Sequence, residues 1–363
     1  MKSLSDLFMD ERTIQIELQS LGVRVTDSFI GRRGGAGPAE GQVIVFKERA
    51  LSVPTQSRYV ALSPYEIKSN GSSLVLLRDN NTIGKVFIPP RPRYYGLKTH
   101  DGITFDKFAL MHGRDCLATT VYQDCLCWHS DACCTFCGIG LSLKNNNTVL
   151  EKAPEELAKV AKQAKLLDKA SHVTLTTGMR ICEKETISHL SKCVKAIKQK
   201  SDMPIHVQIC PPADLNTIDS LKNAGADTIG IHIETFDQNV LRRVAPSKAG
   251  HGIEFFIKAW RHAVAVFGKN QVSSFIIAGL GEDITSVVAG AELLCDIGVF
   301  PYLLPFRPIP GTPLETSKPP APEIMQYLYE EVSVLLRKYG LSSIASKAGC
   351  VRCGACSSIS LFE

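Results

Sequence analysis

The sequence predicts an α/β chain built around a partial (β/α)6 TIM-type barrel, with an N-terminal α+β accessory unit and a C-terminal cysteine-bearing tail. Three observations carry this reading. From about residue 100 onward, β-rich runs alternate with amphipathic helical stretches, the pattern of parallel strands joined by crossover helices. Before residue 95 the β-rich runs are short and separated by Asn, Gly and Pro signals rather than helices, as in a small antiparallel sheet. The 13 cysteines are uneven, with dense groups just after the first barrel strand and at the tail.

The accessory unit, residues 1–95, opens with a helix whose apolar positions are Ile14, Ile16, Leu18 and Leu21. Gly31-Arg32-Arg33-Gly34-Gly35-Ala36-Gly37 is too rich in glycine to hold a helix or strand. The runs GQVIVFKE, RYVALSPYEI, SSLVLLRD and IGKVFIPP then read as strands, and Pro89-Pro90-Arg91-Pro92 closes the unit. Residues 96–320 hold the barrel, with strands expected at 116–122, 172–178, 205–210, 228–234, 273–279 and 300–306. Helices are expected at 151–169, 184–199, 213–224, 252–267 and 284–297. A sixth, at 322–339, has Met325, Leu328, Val332 and Leu335 on its apolar face and opens the last segment, residues 321–363. Six such units fall two short of a closed eightfold barrel, and an open doubly wound sheet is the alternative. In both, chemistry belongs at the C-terminal ends of the strands.

Apolar residues make up 44% and charged residues 21% of the 363, which excludes disorder as the dominant state. No run approaches the roughly 18 to 20 apolar residues of a membrane helix. The N-terminus is charged and helical rather than signal-like, so a cytoplasmic location is expected. The net charge of +5 is spread without a basic block, so neither nucleic acid nor membrane is an expected partner. An odd number of cysteines in a cytosolic chain does not read as a disulfide scaffold. Cys116, Cys182, Cys193, Cys210 and Cys295 are scattered among apolar neighbours and read as buried small hydrophobes.

The first dense group runs Cys125-Leu-Cys127-Trp-His-Ser-Asp-Ala-Cys133-Cys134-Thr-Phe136-Cys137. Thiolates this close, on a loop at the C-terminal edge of a barrel, can converge on a soft metal centre. A structural zinc site would want paired Cys-x-x-Cys knuckles, and only Cys134-x-x-Cys137 is local. An iron–sulfur cluster on three cysteines is the other metal reading. Here the sequence resembles the radical SAM superfamily, whose three-cysteine motif follows the first strand of a six-unit barrel and usually ends Cys-x-aromatic-Cys, as Cys134-Thr135-Phe136-Cys137 does. The position of the usual first cysteine is Ser130, so the first ligand is Cys125 or Cys127, and Cys133 is an alternative to Cys134.

That resemblance implies a [4Fe-4S] cluster held by Cys125, Cys134 and Cys137, with one iron left for S-adenosylmethionine. It further implies reductive cleavage of that cofactor to a 5′-deoxyadenosyl radical. Cofactor contacts are implied for Phe136 beside the cluster, for Thr177 and Gly178 at the end of the second strand, for Glu234 at the end of the fourth, and for Ile277 and Gly279 on the fifth. At closer range RRGGAG, PPRPRYYGL, PPADL, RRVAPSKA, VAVFGKNQVSS, PFRPIPGTPL and KAGCVRCGACS are similar to radical SAM proteins found beside nitrilase genes. Those are related to biotin synthase and to lipoyl-synthase-like enzymes.

At the tail, Cys350-Val-Arg-Cys353-Gly-Ala-Cys356 is the ferredoxin-type run that wraps a second [4Fe-4S] cluster, with zinc as the alternative. Its fourth ligand is left to Ser357 or Ser358, to an Arg such as Arg307, to a scattered Cys, or to substrate. The resemblance to biotin synthase makes sulfur insertion into an unactivated C–H bond the first expectation, which would make the chain a sulfurtransferase. Electron transfer or substrate binding by the second cluster, in nitrile-related metabolism, is the alternative. A non-catalytic iron–sulfur or zinc protein is the reading from another class. Expected partners are a small-molecule or carrier-bound acyl substrate, an electron donor such as ferredoxin or flavodoxin, and a partner radical SAM protein. Arg307, just past the sixth strand, and Arg242 are candidate substrate contacts, since a guanidinium suits carboxylates. Arg243 shares that reading, and a solvated face is the plainer one for both Arg242 and Arg243. Arg32 and Arg33 are candidate anion contacts. His232 reads as a satisfied core histidine.

Overall fold

The computed structural model describes residues 10–25, 41–70 and 73–363. The glycine-rich stretch with Arg32 and Arg33 lies outside them. Helix Glu11–Leu21 precedes strands β1 (Arg24–Val25), β2 (Gln42–Phe46), β3 (Arg49–Val53), β4 (Tyr65–Asn70), β5 (Ser73–Arg78) and β6 (Asn81–Phe87). They form one sheet in the order β1-β4-β5-β6-β2-β3, antiparallel except for the β1–β4 pair. Ile14 and Leu18 of the helix pack on Ile44, Phe46, Tyr65 and Leu76.

Two expectations need correcting here. RYVALSPYEI is not one strand: Arg58–Leu62 is a 3-10 helix and β4 begins only after Pro64, because proline cannot donate to a ladder. The strand β3 was not expected. Its two-residue turn uses Lys47 and Glu48, both at positive φ, where a tight hairpin usually announces itself with Asn or Gly. The β5–β6 turn, Asp79-Asn80, has the same geometry and does carry that signal.

The barrel strands are β7 (Leu110–His112), β8 (Cys116–Thr120), β9 (His172–Thr176), β10 (Ile205–Ile209), β11 (Thr228–Ile231), β12 (Val272–Ala278) and β13 (Phe300–Pro305). Their order is sequential, β13 to β7, with β8 through β13 parallel. A short antiparallel edge, β7, too brief for a sequence signal, is added beside β8. The sheet is therefore an open partial barrel whose edges are β13 and β7. Helices Pro154–Asp168, Glu183–Lys200, Asn216–Asn223, Ile253–Phe267, Ile284–Ile297 and Pro322–Tyr339 follow the expected positions. They cover the sheet so fully that Val173, Leu175, Val207 and Ile229 are inaccessible, which is why these strands read as near-continuous apolar runs. Trp260 pins its helix to the sheet by donating to the Ile231 carbonyl at 2.9 Å.

The tail enters at the N-terminal ends of the strands and fills the open side. Gly349 N–H donates to His172 Nδ1 at 3.2 Å, and Thr228 Oγ1 donates to the Ala348 carbonyl at 3.4 Å. Ser357 Oγ donates to the Leu303 carbonyl of β13 at 2.6 Å. The accessory unit holds it from outside: the Ala355 carbonyl accepts from Ser52 N–H at 2.7 Å and from Gln19 Nε2 at 3.0 Å. Among the described residues no helix is long and apolar enough to cross a membrane.

Candidate active site

The loop after β8 is pinned at both ends. Gly178 N–H donates to Tyr122 O and Leu126 N–H to Met179 O, both at 2.9 Å, which ties its start to the end of β9. A Cβ on Gly178 would lie 1.7 Å from the Asp124 carbonyl oxygen, so only glycine lets the two backbones approach. The loop's far end is fixed by Thr135 N–H donating to Val244 O at 2.8 Å and Trp128 Nε1 donating to Cys137 O at 3.1 Å.

On this frame Cys125, Cys134 and Cys137 face one region. Burial pushes the Cys134 thiol up to about 12 and Cys137 to about 11, with neighbouring Cys137 raising the first and Cys125 the second. Burial also raises Cys127, which turns toward Cys125 and Ser247. Cys133 sits in a turn closed by its own N–H to Ser130 O at 3.1 Å. Cys210, read as a buried hydrophobe, is instead exposed and directly follows the third parallel strand, β10, within electrostatic reach of Cys125 and Cys127. Its place at a C-terminal strand end was the available signal.

Glu234 stands beside them at φ 75°. Its side chain accepts a hydrogen bond from Lys248 Nζ, which also donates to His232 O at 2.7 Å. Burial alone would push the Lys248 ammonium down; the Glu234 carboxylate and the Cys134 and Cys210 thiols outweigh it and hold it up. Glu234 Oε2 is buried with no partner. His232 is only half satisfied, contrary to the sequence reading. Its Nδ1 accepts from Phe275 N–H at 3.1 Å and its ring stacks on Phe275 at 3.7 Å, while Nε2 has no partner. Because burial keeps the ring neutral and Nδ1 is the acceptor, Nε2 carries the hydrogen.

A cavity of about 380 Å³ runs inside the sheet. Phe136, Cys137, Thr177, Glu234, His232 and Ile277 line it on the loop side; His112, Cys116, Gln208, Tyr302, Cys350 and Cys356 line it toward the tail. At that floor Gln208 Nε2 donates to Cys350 Sγ at 3.5 Å, and the His112 nitrogens lie 3.6 Å from Cys353 Sγ and 3.6 Å from Cys356 Sγ. Cys116 hydrogen-bonds Cys353, which holds the Cys353 thiol down and its own up.

Several expected contacts lie elsewhere. Gly178 is spent on the Asp124 approach, and Gly279, at φ 102°, packs against Pro320; neither lines the cavity. Arg242 is exposed and donates to Asn239 Oδ1 at 2.6 Å, so the solvated-face reading holds for it. Arg243 donates to the Leu280 carbonyl at 2.8 Å. Arg307 lines the cavity, yet its guanidinium donates to Ser52 Oγ at 3.1 Å and Ser52 O at 2.5 Å. It ties the accessory unit to the barrel. Ser357 and Ser358 are also engaged, with Leu303 O and Gln19 Oε1.

The model of the radical SAM superfamily matches residues 126–294, from the cysteine loop to the helix after β12. Residues 126–294 carry a radical SAM domain. Bacteriochlorophyllide c C-7(1)-hydroxylase of Chlorobaculum limnaeum is 26% identical over 141 residues, covering 38% of this chain and 35% of that protein. The chain thus spans about a third of this curated relative. Among solved structures, methylornithine synthase (PylB) is 18% identical with a TM-score of 0.49, covering 73% of this chain and 79% of that one. A radical SAM methyltransferase from Sphaerobacter thermophilus is 13% identical with a TM-score of 0.47, covering 77% and 76%.

A radical SAM enzyme uses a [4Fe-4S] cluster and S-adenosylmethionine, and this site fits both. Among the described residues no three His, Cys, Asp or Glu side chains meet closely enough to hold a single metal ion; a cubane instead binds each of its thiolates through a different iron. The orphaned Glu234 Oε2 and His232 Nε2–H offer an acceptor and a donor, matched to a ligand with amino and hydroxyl groups. Ile277 and Phe136 add apolar wall.

Proposed function

We propose that Cys125, Cys134 and Cys137 hold the first cluster, that Cys350, Cys353 and Cys356 hold a second, and that the enzyme inserts sulfur into an unactivated C–H bond of a substrate lying between them. The observation that supports this is continuity: one cavity has Cys137 in its wall at one end and Cys350 and Cys356 at the other. A small or carrier-bound acyl substrate seated there touches both. When bound, S-adenosylmethionine and a loop cluster reduced by a ferredoxin- or flavodoxin-type donor would supply the radical that takes up the substrate hydrogen; the carbon left behind would bond to a sulfide of the tail cluster, whose iron would accept the remaining electron. The chain's own part is to orient and exclude water. Glu234 and His232 take up the cofactor's polar groups, while Phe275, Ile277, Leu304 and Phe306 keep the wall apolar. Likeness to a protein named a hydroxylase supports C–H functionalisation as the reaction class.

A second reading, in which the tail cluster takes up an electron from the substrate, is favoured by Cys116 and His112. They offer the tail further protein contacts, so it has less need to surrender sulfide. Anaerobic reconstitution with isotopically labelled sulfide, followed by reduction with S-adenosylmethionine and octanoylated or dethiobiotin-like acceptors, separates the two. Labelled sulfur in the product supports insertion. 5′-Deoxyadenosine with a sulfur-free, oxidised product selects electron transfer, and no 5′-deoxyadenosine from reconstituted protein sinks both.

A further inference from the structure

Of the fourth ligands the sequence leaves open for the tail, the fold brings one scattered cysteine, Cys116, against the tail cysteines. Cys116 opens β8 and, with Ala118 and Thr120, lies on the strand face that lines the cavity, as strand periodicity requires. His112 is directly opposite it across the β7–β8 ladder, so the two side chains project to the same side. Cys116 and Ala118 pack against Cys353, and Cys116 Sγ lies 3.3 Å from Thr174 Oγ1. The chain keeps this space clear: a Cβ on Gly113, at φ 56°, would sit 2.5 Å from Cys353 Sγ.

We propose that Cys116 is the fourth thiolate of the tail cluster, so that Cys116, Cys350, Cys353 and Cys356 cap all four irons while His112 hydrogen-bonds two of the sulfurs. The inference rests on the reading that the tail triplet holds a cluster. Four cysteines are the ordinary ligand set of a four-iron cubane. His112 is a positioning residue rather than a ligand, because its two nitrogens already face two different thiols, Cys353 and Cys356. Two consequences follow from geometry. A fully capped cluster has no vacant iron, so S-adenosylmethionine binds at the loop site alone. The ligand set also spans from the first parallel strand to the tail, so loading the cluster fastens the tail across the barrel's open side.

The test uses the full chain carrying Cys134→Ala/Cys137→Ala, which removes the loop site, reconstituted anaerobically with iron and sulfide. It should hold about four irons and, when reduced, show no strongly coupled nitrogen in pulsed EPR. Cys116→Ser in that background should shift the EPR signal and speed iron loss to a chelator about ten-fold or more, while the buried control Cys193→Ser changes neither. Unchanged EPR and iron loss in Cys116→Ser would overturn the assignment. So would a strongly coupled nitrogen before any substitution at Cys116, a result that stands even where Cys116→Ser does not fold. Failure of the underlying reading looks different: Cys350→Ala/Cys353→Ala/Cys356→Ala in the same background would still retain four irons.

Discussion

At the scale of single residues, Glu234 concentrates the most physics. Its left-handed backbone, at φ 75°, costs of order 1–3 kcal/mol in a residue other than glycine. Two backbone bonds impose it, Glu234 N–H to Phe275 O at 3.1 Å and Ile277 N–H to Glu234 O at 2.8 Å. They aim the carboxylate at the cavity, where Lys248 takes one oxygen and leaves the other free. Removing the charge would strand a buried ammonium, and Glu234→Gln is expected to cost about 3–5 kcal/mol in urea unfolding of the apo chain. Glu234→Gln/Lys248→Met should recover most of that stability. Equilibrium dialysis on the reconstituted double variant should nevertheless show S-adenosylmethionine binding weakened about ten-fold, the equivalent of one charge-assisted hydrogen bond. A double variant that binds as tightly as the parent would remove Glu234 from the cofactor site.

At the scale of elements, the cysteine loop depends on one glycine. Gly178→Ala would drive a Cβ into the Asp124 backbone, which cannot yield as a flexible side chain would. The loop should lift from β9 and lose nearly all 5′-deoxyadenosine formation; if the tail holds the proposed second cluster, about half of the reconstituted iron should be lost with that cluster's EPR signal intact. An alanine variant with full iron content would show that the loop tolerates the shift. This dependence also marks what could be read in the sequence. The parallel strands and their helices were legible because long apolar runs and 3.6-residue periodicity are local signals, and Cys134-x-x-Cys137 announced the loop by spacing. Gly178 stands out in the sequence by family resemblance, yet the structure uses it for a backbone approach that no local pattern encodes. Cys116 and Cys210 were hidden for the reverse reason. Within their own strands they are small apolar residues, and only the fold sets one against the tail and the other against the loop.

At the scale of the whole molecule, the barrel interior carries buried histidines and is stoppered by the C-terminal tail. His172, His206 and His232 come from successive parts of the sheet. Their Nδ1 atoms are engaged by Gly349 N–H, Thr228 Oγ1 and Phe275 N–H, and their Nε2 atoms have no hydrogen-bond partner, although Asp115 Oδ1 lies 3.9 Å from that of His172. Burial pushes all three down, His206 from 6.5 to about 3. A histidine whose folded pKa lies below its unfolded value gives stability that is fully present above about 6.5 and lost as pH falls toward the folded value. His112 has the opposite sign. Burial disfavours its cation, but the Cys356 and Cys353 thiols outweigh that and raise it to about 9, so its contribution is present below about 6.5 and fades as pH rises through 9. Between pH 6 and 5 the buried neutral histidines should therefore dominate, before most carboxylates titrate. Urea unfolding of the apo chain is expected to show stability falling across that interval, and His206→Asn should reduce the slope by up to about 1.4 kcal/mol per pH unit, one proton's worth. Equal slopes in the parent and His206→Asn would mean that His206 takes up its proton without unfolding. That would require the interior beneath the tail to be wet rather than sealed.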